Sequence, residues 1–155
     1  MSQAPVVRHE VVVRGTQEQA FAAFTERMGE IKPQEHNLLR SPIVSTTFEP
    51  RVGGHIVDRA EDGSECRWAR VLVFDPPNRV VFSWDIGPTW QLEQPENASE
   101  VELRFLPEGP DRTRVALEHR HLDRHGPGWR GVHEGVDSEQ GWPLYLSRYA
   151  ALLEA

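Results

Sequence analysis

Three extended segments joined by two tight turns, Arg51–Gly87 (RVGGHIVDRAEDGSECRWARVLVFDPPNRVVFSWDIG), constrain this chain more than any other stretch. Gly53-Gly54 stands where a strand must bend or admit another backbone, because glycine lacks the Cβ that forbids those angles. Asp62-Gly63 is a strong hairpin signal, since both residues take positive φ readily. Asp75-Pro76-Pro77-Asn78 closes a second hairpin, with proline presetting φ and withholding an N–H from the ladder. The stretch predicts a meander with strands near 52–59, 65–74 and 79–85, part of a curved antiparallel sheet.

The flanks supply that sheet with partners. Val6–Val13 is valine-rich and reads as a strand. Thr16 and Gln19 form a Thr-x-x-Gln capping box, and behind it Ala20, Phe21, Ala23, Phe24 and Met28 recur at helical spacing over roughly 17–28. Segment 29–42, with Pro33 and Pro42, fits a short helix or a loop equally well. Ile43–Phe48 resumes strand character. Beyond Gly87-Pro88 a polar loop, 89–98, carries Trp90 and Pro95.

Glu100–Leu106 and Arg112–Arg120 then alternate strictly. Val101, Leu103 and Phe105, like Thr113, Val115, Leu117 and His119, fall on one face, with oppositely charged residues on the other. Segment 121–141 is glycine-rich and leaves helix and loop open. From Gly141 onward Trp142, Tyr145, Leu146, Tyr149, Leu152 and Leu153 trace one apolar stripe on a terminal helix. A break is expected near Gly141 and Pro143 if helical turns precede it. Residues 1–155 thus read as one α+β domain: β-α-[α]-β6-α, with about seven antiparallel strands curved around a long C-terminal helix that matches the sheet's dry face.

Charge narrows the partners. The 155 residues carry a net charge of −7, which argues against nucleic acid and anionic membranes. No apolar run approaches the roughly 20 residues needed to span a bilayer. The N-terminal segment lacks a basic-then-apolar leader pattern, and the lone Cys66 suits a reducing compartment, so a cytoplasmic location is expected. Of 17 basic residues only Lys32 is lysine, a bias that reads as codon usage rather than as a binding feature.

Phe48-Glu49-Pro50-Arg51-Val52-Gly53-Gly54, Asp62-Gly63, the Val71 to Pro77 run, Arg79, Val80-Val81-Phe82-Ser83-Trp84 and the terminal Gly141-Trp142 carry a resemblance. Over about residues 6–153 the chain resembles the helix-grip fold of the START/Bet v 1-like (SRPBCC) superfamily, within it the branch named for the activator of Hsp90 ATPase, AHSA1. The resemblance implies a cavity between sheet and terminal helix, and functions ranging from lipid, hormone and polyketide binding to cyclase and co-chaperone activity.

A small apolar or amphipathic ligand bound there without chemistry is the first expectation. A cyclase or dehydratase acting on a polyketide-like or aromatic substrate is the second. An Hsp90 co-chaperone is the third, disfavoured because the chain matches only one domain of the eukaryotic activator. Residues expected to meet a ligand are Trp68, Trp84, Trp90, Phe105, Leu117, His119, Trp129 and Tyr145.

For acid–base work the candidates are His119, Asp85 and Asp58, none compelled by spacing. No cofactor is expected. No metal is expected either: His119-x-His121 and the His133-Glu134-Gly135-Val136-Asp137 run resemble zinc motifs only loosely. A homodimer stays open as an assembly. The phase of strand 65–74 also stays open: either Cys66, Trp68, Arg70 and Leu72 face inward, or Ala69, Val71 and Val73 do and Arg70 is an ordinary surface residue. The rim of the cavity, and with it specificity, is assigned to segments 29–42, 87–98 and 121–141.

Overall fold

The computed structural model describes residues 4–154; the first three residues of the segment inspected for a leader, and Ala155, lie outside it. Seven strands form one antiparallel sheet: β1 (Val6–Arg14), β2 (Ile43–Phe48), β3 (His55–Ala60), β4 (Glu65–Asp75), β5 (Arg79–Trp84), β6 (Ser99–Gly109) and β7 (Arg112–Arg120). Their spatial order is β1-β7-β6-β5-β4-β3-β2, so the first strand closes one edge beside the last. Helix α1 (Gln17–Glu26) and the single turn α2 (Met28–Ile31) lie between β1 and β2, while α3 (Trp129–Asp137) and α4 (Trp142–Glu154) follow the sheet. This is the helix-grip arrangement, with the C-terminal helix broken between 137 and 142.

Local chemistry accounts for these elements. Thr16 caps α1 as its pattern requires: Gln19 N donates to Thr16 Oγ1 at 3.1 Å, and Thr16 N donates back to Gln19 Oε1 at 2.9 Å. At the Asp62-Gly63 turn the Asp62 carboxylate accepts from Ser64 N at 2.9 Å. Strand β3 begins later than expected, because Arg51–Gly54 is spent on a turn in which Gly54 N donates to Arg51 O at 3.0 Å.

Strand β4 answers the question of phase by combining both readings. Ile56 pairs with Ala69 but Val57 pairs with Arg67, so Trp68 is an extra residue in the ladder. This bulge reverses the alternation, and Cys66, Trp68, Ala69 and Val71 all join the core. Arg70, turned to the other side, forms a two-pronged pair with Asp85 at 3.1 and 3.3 Å.

An aromatic cluster fills the space between sheet and helices. Phe24 meets Phe48, Phe105 and Tyr149 edge-on, and the Tyr149 hydroxyl donates to Ala20 O at 2.5 Å, tying α4 to α1. On the opposite face Glu102, 3% exposed, receives Arg79 at 2.6 Å, Arg120 at 2.8 Å and Arg104 at 3.4 Å. Burial alone would raise its pKa, yet the arginine hydrogen bonds hold it at about 2.

Candidate functional site

A cavity of about 400 Å³ opens at one end of the sheet, between the ends of β4 and β5 and the C-terminal helices. Its wall is drawn from seven places. Lys32, His36, Asn37 and Leu38 come from the segment after α2, Trp68 from β4 and Trp84 from β5. Ile86 and Trp90 come from the loop after β5, Gly135 and Val136 from α3, Ser138, Gln140 and Gly141 from the α3–α4 link, and Tyr145 from α4. All three segments expected at the rim contribute.

Trp90 closes part of this wall. It takes a positive φ of 59°, is 48% exposed, and lies so close to α3 that a Cβ on Gly135 would sit 2.8 Å from its ring. Only glycine at 135 lets the indole lie there.

At the opposite corner lies the sole lysine. Lys32 and Asp58 form an ion pair at 2.9 Å with side chains 4% and 3% exposed. Lys32 Nζ also donates to His36 O at 2.5 Å, and Thr46 Oγ1 donates to the other Asp58 oxygen at 2.7 Å. His36 Nδ1 lies 3.2 Å from the Tyr145 hydroxyl. Partial burial, then the Lys32 charge, push the His36 pKa below its ordinary value, which keeps the ring neutral at pH 7 and able to accept a proton. Burial, with the Asp58 charge behind it, raises the Tyr145 hydroxyl. Burial, then Asp58, push Cys66 up to about 11, so this thiol is not a nucleophile at neutral pH.

Among the residues expected to meet a ligand, Trp68, Trp84, Trp90 and Tyr145 are in the cavity wall. Phe105 and Leu117 are core residues outside it, and Trp129 meets His133 edge-on and lies under Arg130 instead. The three acid–base candidates are likewise outside the wall. Asp85 is held by Arg70, Asp58 stands behind Lys32, and His119, fully buried, packs against Trp84 and Trp142. Lys32, His36, Asn37, Ser138 and Gln140 are the polar wall residues that sequence reasoning passed over. A single lysine among sixteen arginines was the available signal for the first.

His119 belongs to a buried chain of hydrogen bonds whose directions are fixed by donor inventory. Trp142 Nε1 can only donate, so His119 Nδ1 accepts it at 3.1 Å. The neutral ring then carries its hydrogen on Nε2 and donates to Ser99 Oγ at 2.7 Å. Ser99 passes its own hydrogen to His125 Nε2 at 2.8 Å, and His125 Nδ1 donates to Glu93 at 2.9 Å. The Ser-His-Glu order has the spacing of a nucleophilic triad, but Ser99 is 0% exposed and outside the cavity wall. The chain acts as a strut that fastens the loop bearing Trp90 to the core. Among the described residues no group of three His, Cys, Asp or Glu side chains converges as a metal site would require; His133 Nε2, for instance, bonds to Val6 O at 3.1 Å.

The strut has a pH signature. Burial, then the nearby His125, lower the His119 pKa well below its ordinary 6.5. The unfolded chain therefore binds a proton below about pH 6.5 that the folded chain refuses, and stability falls as pH drops, by at most about 1.4 kcal/mol per unit for this one group. Glu102 adds its own loss below about pH 4.5, toward its folded value near 2. Urea unfolding of His119→Gln, which can still accept from Trp142 and donate to Ser99, is expected to show a shallower decline between pH 6.5 and 4.5. An unchanged slope would exclude His119 as its source.

The sequence matches the family described as activator of Hsp90 ATPase homolog 1-like protein over residues 14–154. The chain belongs to this AHSA1 family. Within the same fold, an anthrahydroquino-gamma-pyrone synthase, Txn09, solved in complex with SUM, is 38% identical, with 97% of each chain covered and a TM-score of 0.68. CalC, a self-sacrificing resistance protein from Micromonospora echinospora, is 27% identical over 97% of this chain and 94% of its own, with a TM-score of 0.69. Protein MLL2253 from Mesorhizobium loti, 21% identical over 96% of both chains with a TM-score of 0.68, shares the fold. No curated protein matches. Among the described residues no helix is long and apolar enough to cross a membrane.

Proposed function

We propose that this AHSA1-family chain binds a small, planar, amphipathic molecule in the cavity between the sheet and α3–α4. The observation that carries this reading is the cavity itself: about 400 Å³ walled by Trp68, Trp84, Trp90 and Tyr145. That volume is within the range of small-molecule sites, and aromatic walls favour flat ring systems. The 38% identical relative named as a synthase of an anthrahydroquino-gamma-pyrone supports a polycyclic aromatic ligand.

Trp90 gives the test. The dye 1-anilinonaphthalene-8-sulfonate is expected to bind one to one, read by its own emission and by energy transfer from tryptophan. Trp90→Ala, at a half-exposed position, is expected to weaken it about tenfold through the lost ring contact while leaving the melting temperature nearly unchanged. Unsaturable dye binding, or affinity indifferent to Trp90, would remove this reading.

A second reading, catalysis on the bound molecule, is favoured by the His36–Tyr145 pair in the wall, where a neutral imidazole and a hydroxyl meet at 3.2 Å. On this reading His36 is the base and Tyr145 its hydrogen-bonded partner, in place of His119, Asp85 or Asp58. The two readings separate on turnover. A bound polyketone recovered unchanged by mass spectrometry supports binding alone, and a dehydrated or cyclised product lost in His36→Gln supports catalysis.

A further inference from the structure

The cavity wall carries a positive charge and no negative one. The chain has 24 acidic residues and a net charge of −7, yet no carboxylate lines the cavity, and the one charged residue that does is its sole lysine. Lys32 Nζ has three N–H bonds, of which Asp58 and His36 O take two. The ammonium also stands over the face of the Trp68 ring, 5.8 Å from its centre.

Trp68 and Trp84 are 1% and 6% exposed and stand edge-to-face at 5.5 Å, and neither indole N–H has a hydrogen-bond partner among the described residues. Buried donors without partners are rare in native proteins, because each forfeits a bond it would make in water. Here two are neighbours in one cavity wall, which also holds the Lys32 ammonium.

Two of the acceptor-bearing side chains in the wall are already engaged. Asn37 donates to Ser41 O at 2.8 Å and accepts from Leu39 N at 2.8 Å, so both ends of its amide are used. Ser138 Oγ donates to Gly135 O at 2.7 Å and accepts from Gln140 N at 3.3 Å. A cationic ligand would meet the Lys32 charge with no carboxylate in the wall to offset it. One offering an oxygen acceptor would satisfy donors that now have none.

From this we infer that the ligand is a carbonyl-bearing planar ring system, a ketone, quinone or ionised enol, whose oxygen is received at the corner formed by Lys32, Trp68 and Trp84. The inference rests on the binding reading above and adds its polarity. It also states what the cavity rejects: hydrocarbons of the same shape bind less tightly, and cationic rings less tightly still.

Two probes that differ by one group test it. 9-Fluorenone and fluorene share a tricyclic skeleton, with C=O in one where the other has CH₂. Titrated by quenching of tryptophan emission, fluorenone is expected to bind about tenfold or more tightly, the factor one net hydrogen bond supplies. The carbonyl stretch of bound fluorenone is expected to move to lower wavenumber, as hydrogen bonding requires. Trp84→Phe and Trp68→Phe remove one donor each along with part of the ring, a loss of volume that both probes meet alike, and Lys32→Met removes the ammonium. Each is expected to narrow the gap between the probes, with fluorene affinity reporting that the cavity has kept its form.

If Lys32→Met does not fold, the tryptophan variants carry the test alone. Equal affinity for the two probes, or a gap unmoved by any of the three variants, overturns the acceptor inference and leaves ligand binding standing. Failure of both probes to bind overturns the binding reading itself.

Discussion

Replacing Asp58 by alanine is expected to lower the unfolding free energy by about 3–5 kcal/mol, the loss measured when one partner of a buried ion pair is removed. Lys32, itself 5% exposed, would then keep the His36 carbonyl and the Trp68 ring face but lose its counter-charge, while Thr46 Oγ1 would lose its acceptor. In a chain of this length that corresponds to a melting temperature lower by roughly 10 °C. Asp58→Asn keeps an acceptor for Thr46 and Lys32 and is expected to lose less. Thermal melts of the two variants decide the matter, and a fall under about 1 kcal/mol for Asp58→Ala would mean that Lys32 escapes to water. The same change unmoors Lys32 from the cavity corner, so probe affinity should fall in whatever fraction remains folded.

Asp58 was singled out from sequence as an acid that could face inward, and it does, but its partner decides its part. A carboxylate with a neighbouring ammonium and a hydroxyl donor is an anchor, and what it anchors is the residue facing the cavity. That pairing joins β3 to the segment after α2 across a gap of 26 in sequence, where no spacing rule applies. The legible parts of the fold were those whose causes are local. Thr16 and Gln19 satisfy each other within one turn, Gly63 sets a hairpin by taking a positive φ of 87°, and Val101–Phe105 alternates because successive side chains of a strand point to opposite faces of the sheet.

The bulge at Trp68 illustrates the opposite case. Whether Ala69 or Arg70 faces inward depends on how β3 lies alongside, and nothing within Glu65–Asp75 records that. The cavity wall was hardest to read for a related reason. Lys32, His36, Trp90, Ser138 and Gln140 come from segments without hydrophobic periodicity, whose paths follow from tertiary contacts such as the Trp90–Gly135 approach and the Glu93–His125 bond. Tryptophans could be nominated as wall residues by type. Which of them stand in the wall depended on placement, and Trp129 and Trp142 fell outside it.

The break between α3 and α4 gives the other large effect. Gly141 packs so tightly on the end of α3 that a Cβ there would lie 2.2 Å from Val136 O, 2.5 Å from Val136 C and 2.6 Å from Gly135 O. These are backbone atoms, so no rotamer change relieves the contact, and α3 and α4 must move apart. Gly141 O accepts from Leu144 N and Tyr145 N at 3.0 and 3.3 Å, so a shift there carries the first turn of α4 with it, and hence Trp142, Tyr145 and the cavity wall.

Gly141→Ala is expected to cost about 3 kcal/mol or more, at or beyond the upper end of ordinary overpacking, with a melting temperature lower by about 6–12 °C and weaker probe binding. Gly131→Ala is the matched control. It lies within α3 with open space around an added Cβ, and there alanine is expected to stabilise by up to about 1 kcal/mol through helix propensity. Opposite signs from two glycine-to-alanine changes ten residues apart would identify close backbone approach as the reason for glycine at 141. Equal small effects, measured by chemical denaturation, would show that the helix break relaxes freely and that the α3–α4 link does not fix the shape of the cavity.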